Sequence, residues 1–472
     1  NFTGMPNLEY LDLGCCSNLE EVHHSLGCST KLIWLNLKYC RRLKRFPCIN
    51  VESLIYLSLQ DCSSLENLPE ILGSMKLEFQ IQMLDSVIWN LGFIGLENLV
   101  TLPTSICKLK NLVELDVSCC SKLETLPEAI GDLENLVRLD ARDTLISQPP
   151  PTVVRLNKLK FLSFAKQKSE VGLEDGVCFV FSPVAEGLHS LEILNLSYCN
   201  LIDGGLPEDI GSLSSLKELY LRGNNFEHLP RSIAQLGALR SLDLTECNCL
   251  TLLPELPPEL DALHADCHMA LKSIHNLVRK KKKLQQLIFT PLYDQDDAYN
   301  DSIYNLFAHT LFQNIASLQH DVSASDSLSE RVLTIVHPQK KIPSWFHYQG
   351  MDRSVSVNLP ENWYVRDNFL GFAVCYSGTL IETTAQLFPV CDDGVSWISQ
   401  KLALCNHPQF DRESTIHFSL VPLANLWDTS KANGKTPNDF RLIRLSFSGQ
   451  MKEFGFRLLY KDEHCIGIRR TQ

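Results

Sequence analysis

Residues 112–133 read LVELDVSCCSKLETLPEAIGDL, and this stretch predicts the fold of the first half of the chain. Apolar and polar residues alternate at its start, which is typical of a short β-strand with one buried face. Cys120 follows at a turn, and leucines spaced by three lead to Leu126-Pro127. This is the pattern of a leucine-rich repeat, which buries its apolar face only by stacking on neighbouring repeats.

The same unit recurs along the first 275 residues. The pattern L-x-x-L-x-L, or a close variant, begins at Leu8, Leu32, Leu54, Leu112, Leu136, Leu159, Leu191, Leu216, Leu239 and Leu260. The long step after Leu54 holds a degenerate stretch at 76–98, and the step after Leu159 carries an insertion around 166–186. We therefore predict an α/β leucine-rich-repeat solenoid over residues 1–275, a horseshoe with a parallel β-sheet on its concave face.

Cysteines recur once per repeat, at Cys16, Cys40, Cys62, Cys120, Cys199 and Cys247. Stacked repeats place equivalent positions in a column, where each cysteine is expected to cap backbone turns as a small buried residue. Disulfides persist in oxidising compartments, so this column predicts a reduced chain in the cytoplasm.

Aromatic and arginine side chains occupy strand positions that flank the inward leucines. Such residues anchor protein interfaces, whereas the alternative is that they only keep the face soluble. The candidate ligand-binding residues are Trp34, Tyr56, Arg138, Arg142, Phe161, Tyr220 and Arg222. We expect these outward positions to have no structural role, and we expect Tyr220 and Arg222 to be the strongest anchors.

The composition changes after residue 275. Residues 276–330 read as a linker with a helical segment, and their basic run at 279–283 is typical of a solvated helix end, with nuclear import as the alternative. From residue 331 the sequence alternates in short runs such as VLTIV, SVSVNL and IHFSLV. We predict an all-β sandwich or jelly roll over residues 331–472.

Three strings stand out in this second domain: IPSWF at 342–346, FLGFA at 369–373 and EFGFRLLY at 453–460. They resemble the post-repeat domain of plant intracellular immune receptors that carry a TIR domain and a nucleotide-binding module. The first repeats, PNLEYLDLGCCSNLEEVHHSLG, are similar to those of the same family, in particular its tobacco-mosaic-virus-type resistance proteins from nightshades. Lys340-Lys341 departs from the Gly-Glu that the family often has before Ile-Pro.

The resemblance implies the ligand-sensing and autoregulatory part of an intracellular disease-resistance receptor. Such a part would bind a pathogen effector or a viral protein, contact the upstream nucleotide-binding domain, and take part in a receptor oligomer on activation. The family's NAD-cleaving activity belongs to the TIR domain and its ADP/ATP switch to the nucleotide-binding module. We therefore expect no enzyme activity and no cofactor in this chain, and, since it starts inside a repeat, a fragment of a longer protein.

Charge and motifs argue against other chemistry. The net charge of −12 disfavours nucleic acid as a partner. Gly434-Lys435-Thr436 resembles the end of a P-loop, but the required first glycine is missing and Pro437 would break the following helix. No zinc-protease or nucleophile-elbow motif occurs, so we predict no catalytic or metal site. No run of 18 apolar residues predicts a membrane span.

Two alternatives to ligand sensing are open at this point. A cytosolic leucine-rich-repeat scaffold would assemble signalling proteins without sensing a ligand, and a receptor ectodomain would lie outside the cell. The upstream sequence distinguishes them, because a P-loop supports the sensor and a signal peptide supports the ectodomain.

We predict that most of the 18 cysteines are reduced thiols. The reason is their regular place in the repeats, where each is expected to cap the backbone. Counting reactive thiols in denaturant without reductant checks this, and a count showing most of them oxidised would contradict the cytoplasmic assignment.

Overall fold

The computed structural model describes residues 1–72, 90–168, 178–253, 255–266, 286–290, 333–337, 342–343, 345–365, 368–389, 397–402, 404, 416–423, 426–432 and 434–460. The chain divides into two compact units, Asn1–Glu259 and Leu260–Gln472. The predicted repeat at Leu260 falls in the second unit, and most of the predicted linker lies outside the described residues. In the described parts, no helix is both long and apolar enough to cross a bilayer.

The first unit is a stack of repeats that each contribute one short strand to a parallel sheet. The strands are β1 (Tyr10–Asp12), β2 (Trp34–Asn36), β3 (Tyr56–Ser58), β4 (Asn90–Gly92), β5 (Glu114–Asp116), β6 (Arg138–Asp140), β7 (Phe161–Ser163), β8 (Ile193–Asn195), β9 (Glu218–Tyr220) and β10 (Ser241–Asp243). Each strand pairs in parallel with the next, and their central leucines lie side by side. The predicted leucine-rich-repeat solenoid with a parallel sheet is confirmed.

Short 3₁₀ helices follow the strands. They span His24–Cys28, Thr104–Lys108, Glu128–Asp132, Pro151–Arg155, Ile210–Ser212 and Arg231–Gln235. Neighbouring repeats approach closely here, since a Cβ built on Gly131 would lie 2.1 Å from the carbonyl oxygen of Thr152. The Ile-Gly pair of the repeat therefore serves packing: Ile130 is fully buried, and Gly131 lets the next backbone come near.

The degenerate stretch at 76–98 holds one further repeat. Strand β4 lies between β3 and β5, with Leu91 in register with Leu57 and Leu115. The sequence pattern missed this strand because Ile88 and Phe93 stand where leucines were sought. Residues 73–89 lie outside the described part of the chain.

The cysteine column caps the backbone as predicted, with one exception. Five of its members, Cys40, Cys62, Cys120, Cys199 and Cys247, are buried, and each thiol donates to a carbonyl of the preceding repeat at 3.1–3.2 Å. Thr144 and Asn224 occupy the same position and also donate to backbone carbonyls. Cys16 is exposed, contrary to the prediction.

The second unit is built on two long antiparallel strands. Its strands are β11 (Ala262–Asp266), β12 (Gln286–Thr290), β13 (Leu333–His337), β14 (Tyr348–Gly350), β15 (Ser354–Asn358), β16 (Phe369–Pro389), β17 (Ile398–Leu402), β18 (Ile416–Val421) and β19 (Phe440–Tyr460), with an α-helix at Thr429–Ala432 and a 3₁₀ helix at Pro437–Asp439. β16 pairs with β19 along its length and with β17 and β18 on its other edge. The predicted antiparallel β architecture is confirmed as a curled sheet.

The sequence did not predict that three strands of this unit would pair with one another in parallel. β11, β12 and β13 pair in parallel, and β13 joins the antiparallel sheet through β18. β12 falls inside the stretch 276–330 that the sequence indicated as a linker. A single five-residue run inside a polar stretch is a weak strand signal, which explains why it was missed.

The distinctive strings of the second unit pack against each other. Gly455 lies under Phe346, and a Cβ at Gly455 would come within 2.6 Å of the Cys375 sulfur. Arg457 donates from Nη1 to the carbonyl oxygen of Trp345 at 2.7 Å. Residues of the IPSWF and EFGFRLLY strings are therefore in direct contact with each other.

Trp363 belongs to the hydrophobic core of the second unit. It is fully buried, and its Nε1 donates to the carbonyl oxygen of Phe440 at 2.9 Å. The hydroxyl of Tyr460 donates to the carbonyl oxygen of Trp363 at 2.8 Å. Trp363 thus contacts the start of β19 through its indole and the end of β19 through its backbone carbonyl.

Replacing Leu194 by Ala should lower the free energy of unfolding by about 2–5 kcal/mol. Leu194 is the central residue of β8 and is fully buried, so truncation leaves a cavity between repeats. Chemical denaturation measures the change. Leu145→Ala is the matched control, because Leu145 is 55% exposed and its truncation should cost no more than about 0.5 kcal/mol. Equal effects of the two variants would show that the register is wrong.

Candidate functional site

Three neighbouring strands present aromatic rings on the strand face, defined as the side of β1–β10 that carries the outward residues. Trp34 and Tyr56 stack with ring centroids 3.7 Å apart and planes 9° apart. Tyr10 is aligned with Trp34 on the next strand and is 64% exposed. Lys38 places its ammonium 6.0 Å from the Tyr56 ring. These residues form an open apolar surface beside a single cation, which we call the aromatic surface.

The central strands carry an ion-pair cluster instead. Arg138 lies 3.6 Å above the Phe161 ring and contacts Glu114 at 3.2 Å and Asp140 at 2.7 Å. Arg142 contacts the same Asp140 carboxylate at 2.8 Å. Asp140 is fully buried, so both arginines neutralise a carboxylate that would otherwise be costly to bury.

The ion pairs correct the expectation that outward positions have no structural role. The hydrogen bond to Asp140 raises the pKa of Arg142. Burial raises the pKa of Glu114, while the nearby Arg138 acts in the opposite direction. These side chains are therefore already paired within the chain before any partner is considered.

The last residue of most strands has a further structural role. In eight of ten repeats an Asp, Asn or Ser there accepts a hydrogen bond from the backbone N–H two residues later. The acceptors are Asp12, Asn36, Ser58, Asp116, Asp140, Ser163, Asn195 and Asp243, at 2.8–3.4 Å. Such side-chain bonds close a turn, so this column serves the fold.

A column of left-handed residues follows that turn. Positive φ occurs at Cys15, Tyr39, Asp61, Gly95, Cys119, Asp143, Tyr198, Gly223 and Glu246. Only two of the nine are glycine, although the left-handed region costs other residues about 1 kcal/mol or more. The left-handed position after the turn therefore carries side chains larger than glycine beside the strand face, among them Tyr198 and Glu246.

Arg222 is held by residues that sequence reasoning did not single out. Its guanidinium pairs with the carboxylate of Glu246 and lies 5.8 Å from the Tyr198 ring. Lys168, from the insertion, contacts the same carboxylate at 2.7 Å. Tyr220 donates its hydroxyl to Glu218 at 2.6 Å. No strand-based pattern finds Glu246 or Lys168, because one lies in the left-handed column and the other in an irregular segment.

The seven candidate residues thus lie at the predicted strand-face positions but in three separate groups. Trp34 and Tyr56 form the first, Arg138, Arg142 and Phe161 the second, and Tyr220 and Arg222 the third. The arginines are committed to carboxylates of this chain. Ligand binding by any of the seven stays a prediction.

Comparison with known families gives the class of the protein. A leucine-rich-repeat family model matches residues 111–133, 190–213 and 215–236, and a C-JID domain model matches residues 337–465. The chain is a leucine-rich-repeat protein with a C-JID domain.

Individual relatives include plant resistance proteins. TMV resistance protein N from Nicotiana glutinosa is 61% identical over 100% of this chain, which spans 43% of that protein. Disease resistance-like protein DSC1 from Arabidopsis thaliana is 34% identical over 81% of this chain, matching 32% of its own length. Among solved structures, the functional domain of InlJ from Listeria monocytogenes covers 91% of this chain and 77% of its own length, with 13% identity and a TM-score of 0.36.

The chain is recognised as the leucine-rich-repeat and C-JID portion of the TIR-type nucleotide-binding resistance-protein family of plants, as the sequence predicted. It spans less than half the length of the curated relatives described above.

Replacing Glu246 by Gln should weaken the first unit in a pH-dependent way. Burial opposes ionisation of Glu246, but hydrogen bonds from Arg222 and Lys168 leave its pKa lowered. The ionised form therefore contributes stability above the unfolded pKa of about 4.3, and this contribution is lost as the pH falls through the lowered value. We expect the variant to be less stable by about 1 kcal/mol at pH 7 and equal to the parent in strong acid.

Denaturation curves at several pH values measure this difference. Glu134→Gln, at an exposed position, is the control and should change stability little at any pH. A deficit of the Glu246 variant that persists unchanged into strong acid would contradict the ion-pair role.

Proposed function

We propose that this chain is the ligand-sensing and autoregulatory part of a plant disease-resistance receptor, and that it binds a pathogen effector or a viral protein. Its relatives are plant disease-resistance proteins, which supports an immune-receptor role. The observation that carries the binding role is the aromatic surface, because exposed rings on adjacent strands offer the contact type that dominates protein interfaces.

Binding area favours a protein over a small ligand. A stable protein interface needs roughly 800 Å² from each partner, which a run of strands supplies and one strand does not. The aromatic surface extends over three strands, and Arg138 with Phe161 continues the same outward column on β6 and β7. The partner would lie along this column.

The remaining parts of the proposal follow from the receptor role. The chain acts without catalysis and without a cofactor of its own, whereas ADP, ATP and NAD belong to upstream domains of a full receptor. It contacts the upstream nucleotide-binding domain in the resting state and takes part in an oligomer after activation. Differential binding between the two states provides the switch. The C-terminal unit acts as a jelly-roll module, and the receptor works in the cytoplasm or the nucleus.

A direct binding experiment tests the sensing role. The relative named TMV resistance protein N makes the proteins encoded by tobacco mosaic virus the first probes. We expect one of them to bind the purified chain, and Trp34→Ala with Tyr56→Ala to weaken binding by about 2 kcal/mol, or roughly 30-fold. Calorimetric titration of each viral protein gives the affinities.

Tyr39→Ala is the matched control. Tyr39 is an exposed aromatic residue of the same repeat as Trp34, but it lies in the left-handed column. It should leave binding unchanged. Equal losses for the two variants, or binding that survives loss of the aromatic surface in a folded chain, would favour the scaffold alternative or another surface.

A further inference from the structure

The antiparallel sheet of the second unit has one face turned away from its hydrophobic core. Val357, Leu387, Ile398 and Ile443 point into that core and are almost fully buried. The residues that alternate with them lie on the opposite side, which we call the outer face. It consists of the first, third and fifth residues of four neighbouring strand segments, at 354–358, 442–446, 384–388 and 397–401.

The outer face differs in charge from the rest of this acidic chain. Its four segments contain two cations, Lys401 and Arg444, and no Asp or Glu. Residues 1–259 contain 33 Asp and Glu against 21 Lys and Arg, so the second unit is neutral in sum. Salt screens the field of the first unit over about 8 Å at physiological ionic strength. Beyond that distance the local charge decides, and the outer face favours an anionic partner.

Arg444 is held at the centre of the outer face without a counter-ion. Its Nε donates to the Ser356 hydroxyl at 3.1 Å, and its guanidinium lies 5.0 Å from the centre of the Phe388 ring. The side chain is exposed and forms no ion pair with any residue that the structure describes, whereas Arg138 and Arg142 are paired with carboxylates. A guanidinium fixed in this way can receive a carboxylate through its terminal N–H groups.

An aromatic surface continues from this cation. Trp397 is 54% exposed, and its ring centre lies 6.0 Å from that of Phe388. One aromatic ring therefore separates the guanidinium from the exposed indole. In an extended peptide, side chains two residues apart lie on the same side and about 7 Å from each other. An acidic and an aromatic residue at this spacing reach Arg444 and Trp397 together.

The size of the outer face suits a short segment of chain. Four neighbouring strands spaced by about 4.8 Å, with five residues of about 3.4 Å each, span roughly 14 Å in either direction. This area is well below the roughly 800 Å² that a stable interface between two globular proteins needs from each partner. A nucleic acid requires contacts to several phosphates, which is more than two cations provide.

We propose that the outer face binds a short acidic segment of a partner protein. An Asp or Glu carboxylate of the segment pairs with the guanidinium of Arg444, and an aromatic side chain two residues away packs on Trp397. Arginine and tryptophan are enriched among the residues that contribute most to binding at protein interfaces. The outer face belongs to the second unit, so this assignment does not rest on the ligand-sensing role proposed for the aromatic surface of the repeats.

Synthetic peptides test the assignment on the full chain. The protein is labelled with 5-fluorotryptophan, and Trp397→Phe identifies the ¹⁹F signal of Trp397. The probe is the acetylated and amidated pentapeptide Ser-Glu-Ser-Tyr-Ser, which we expect to shift that signal in a saturable way. The peptides Ser-Gln-Ser-Tyr-Ser and Ser-Glu-Ser-Ala-Ser should each bind more weakly by about threefold or more, the range of an exposed ion pair and of one aromatic contact.

Matched variants locate the charge. Arg444→Gln should bind the Glu peptide and the Gln peptide equally. Arg441→Gln is the control on the same strand, because Arg441 already pairs with Glu361 at 3.1 Å, and it should keep the preference for the Glu peptide. Melting temperatures confirm that the variants are folded.

Four outcomes overturn the proposal. Three of them are the absence of a saturable shift, equal binding of the Glu and Gln peptides by the parent chain, and a preference for the Glu peptide that survives Arg444→Gln. The fourth is self-association of the parent, measured by sedimentation velocity, that Arg444→Gln abolishes, because a second copy of the chain would then cover the outer face.

Discussion

The burial of one central leucine per strand is the constraint on which the first unit depends. These residues are covered only when the next repeat lies one strand spacing away, about 4.8 Å. At that spacing the outward side chains are also neighbours, which is why Trp34 and Tyr56 stack and why Asp140 has no exposure left. The chemistry of the strand face is therefore set by the packing behind it.

This constraint divides the outward positions into two kinds. The last residue of each strand is largely occupied by turn closure, through hydrogen bonds such as those accepted by Asp116 and Asn195. Variation for recognition is left to the first strand residue and to the residue two positions after the turn-closing one, because the residue between them is a buried core position. The aromatic surface uses the first of these positions on three consecutive strands, at Tyr10, Trp34 and Tyr56.

The sequence predicted the features that recur in every repeat and missed the contacts that occur only once. The strand register and the cysteine column follow from fixed spacing, so Leu194 and Cys199 were placed correctly. The pairing of Lys168 with Glu246 joins residues 78 positions apart, and no local pattern contains it. Arg138 and Arg142 were predicted as ligand anchors because arginine often anchors interfaces. Residue type alone could not show that both side chains already pair with Asp140.

The two units differ in net charge as well as in sheet topology. The repeat unit is strongly acidic in sum, yet Arg138, Arg142 and Arg222 of its strand face are paired with carboxylates, whereas the aromatic rings on β1–β3 remain open to a partner. Long-range attraction and close contact are then supplied by different residues. A partner drawn by the field of the whole unit would be selected at short range by shape and apolar contact, because rim charges act mainly on association rates while buried rings determine how slowly a complex dissociates.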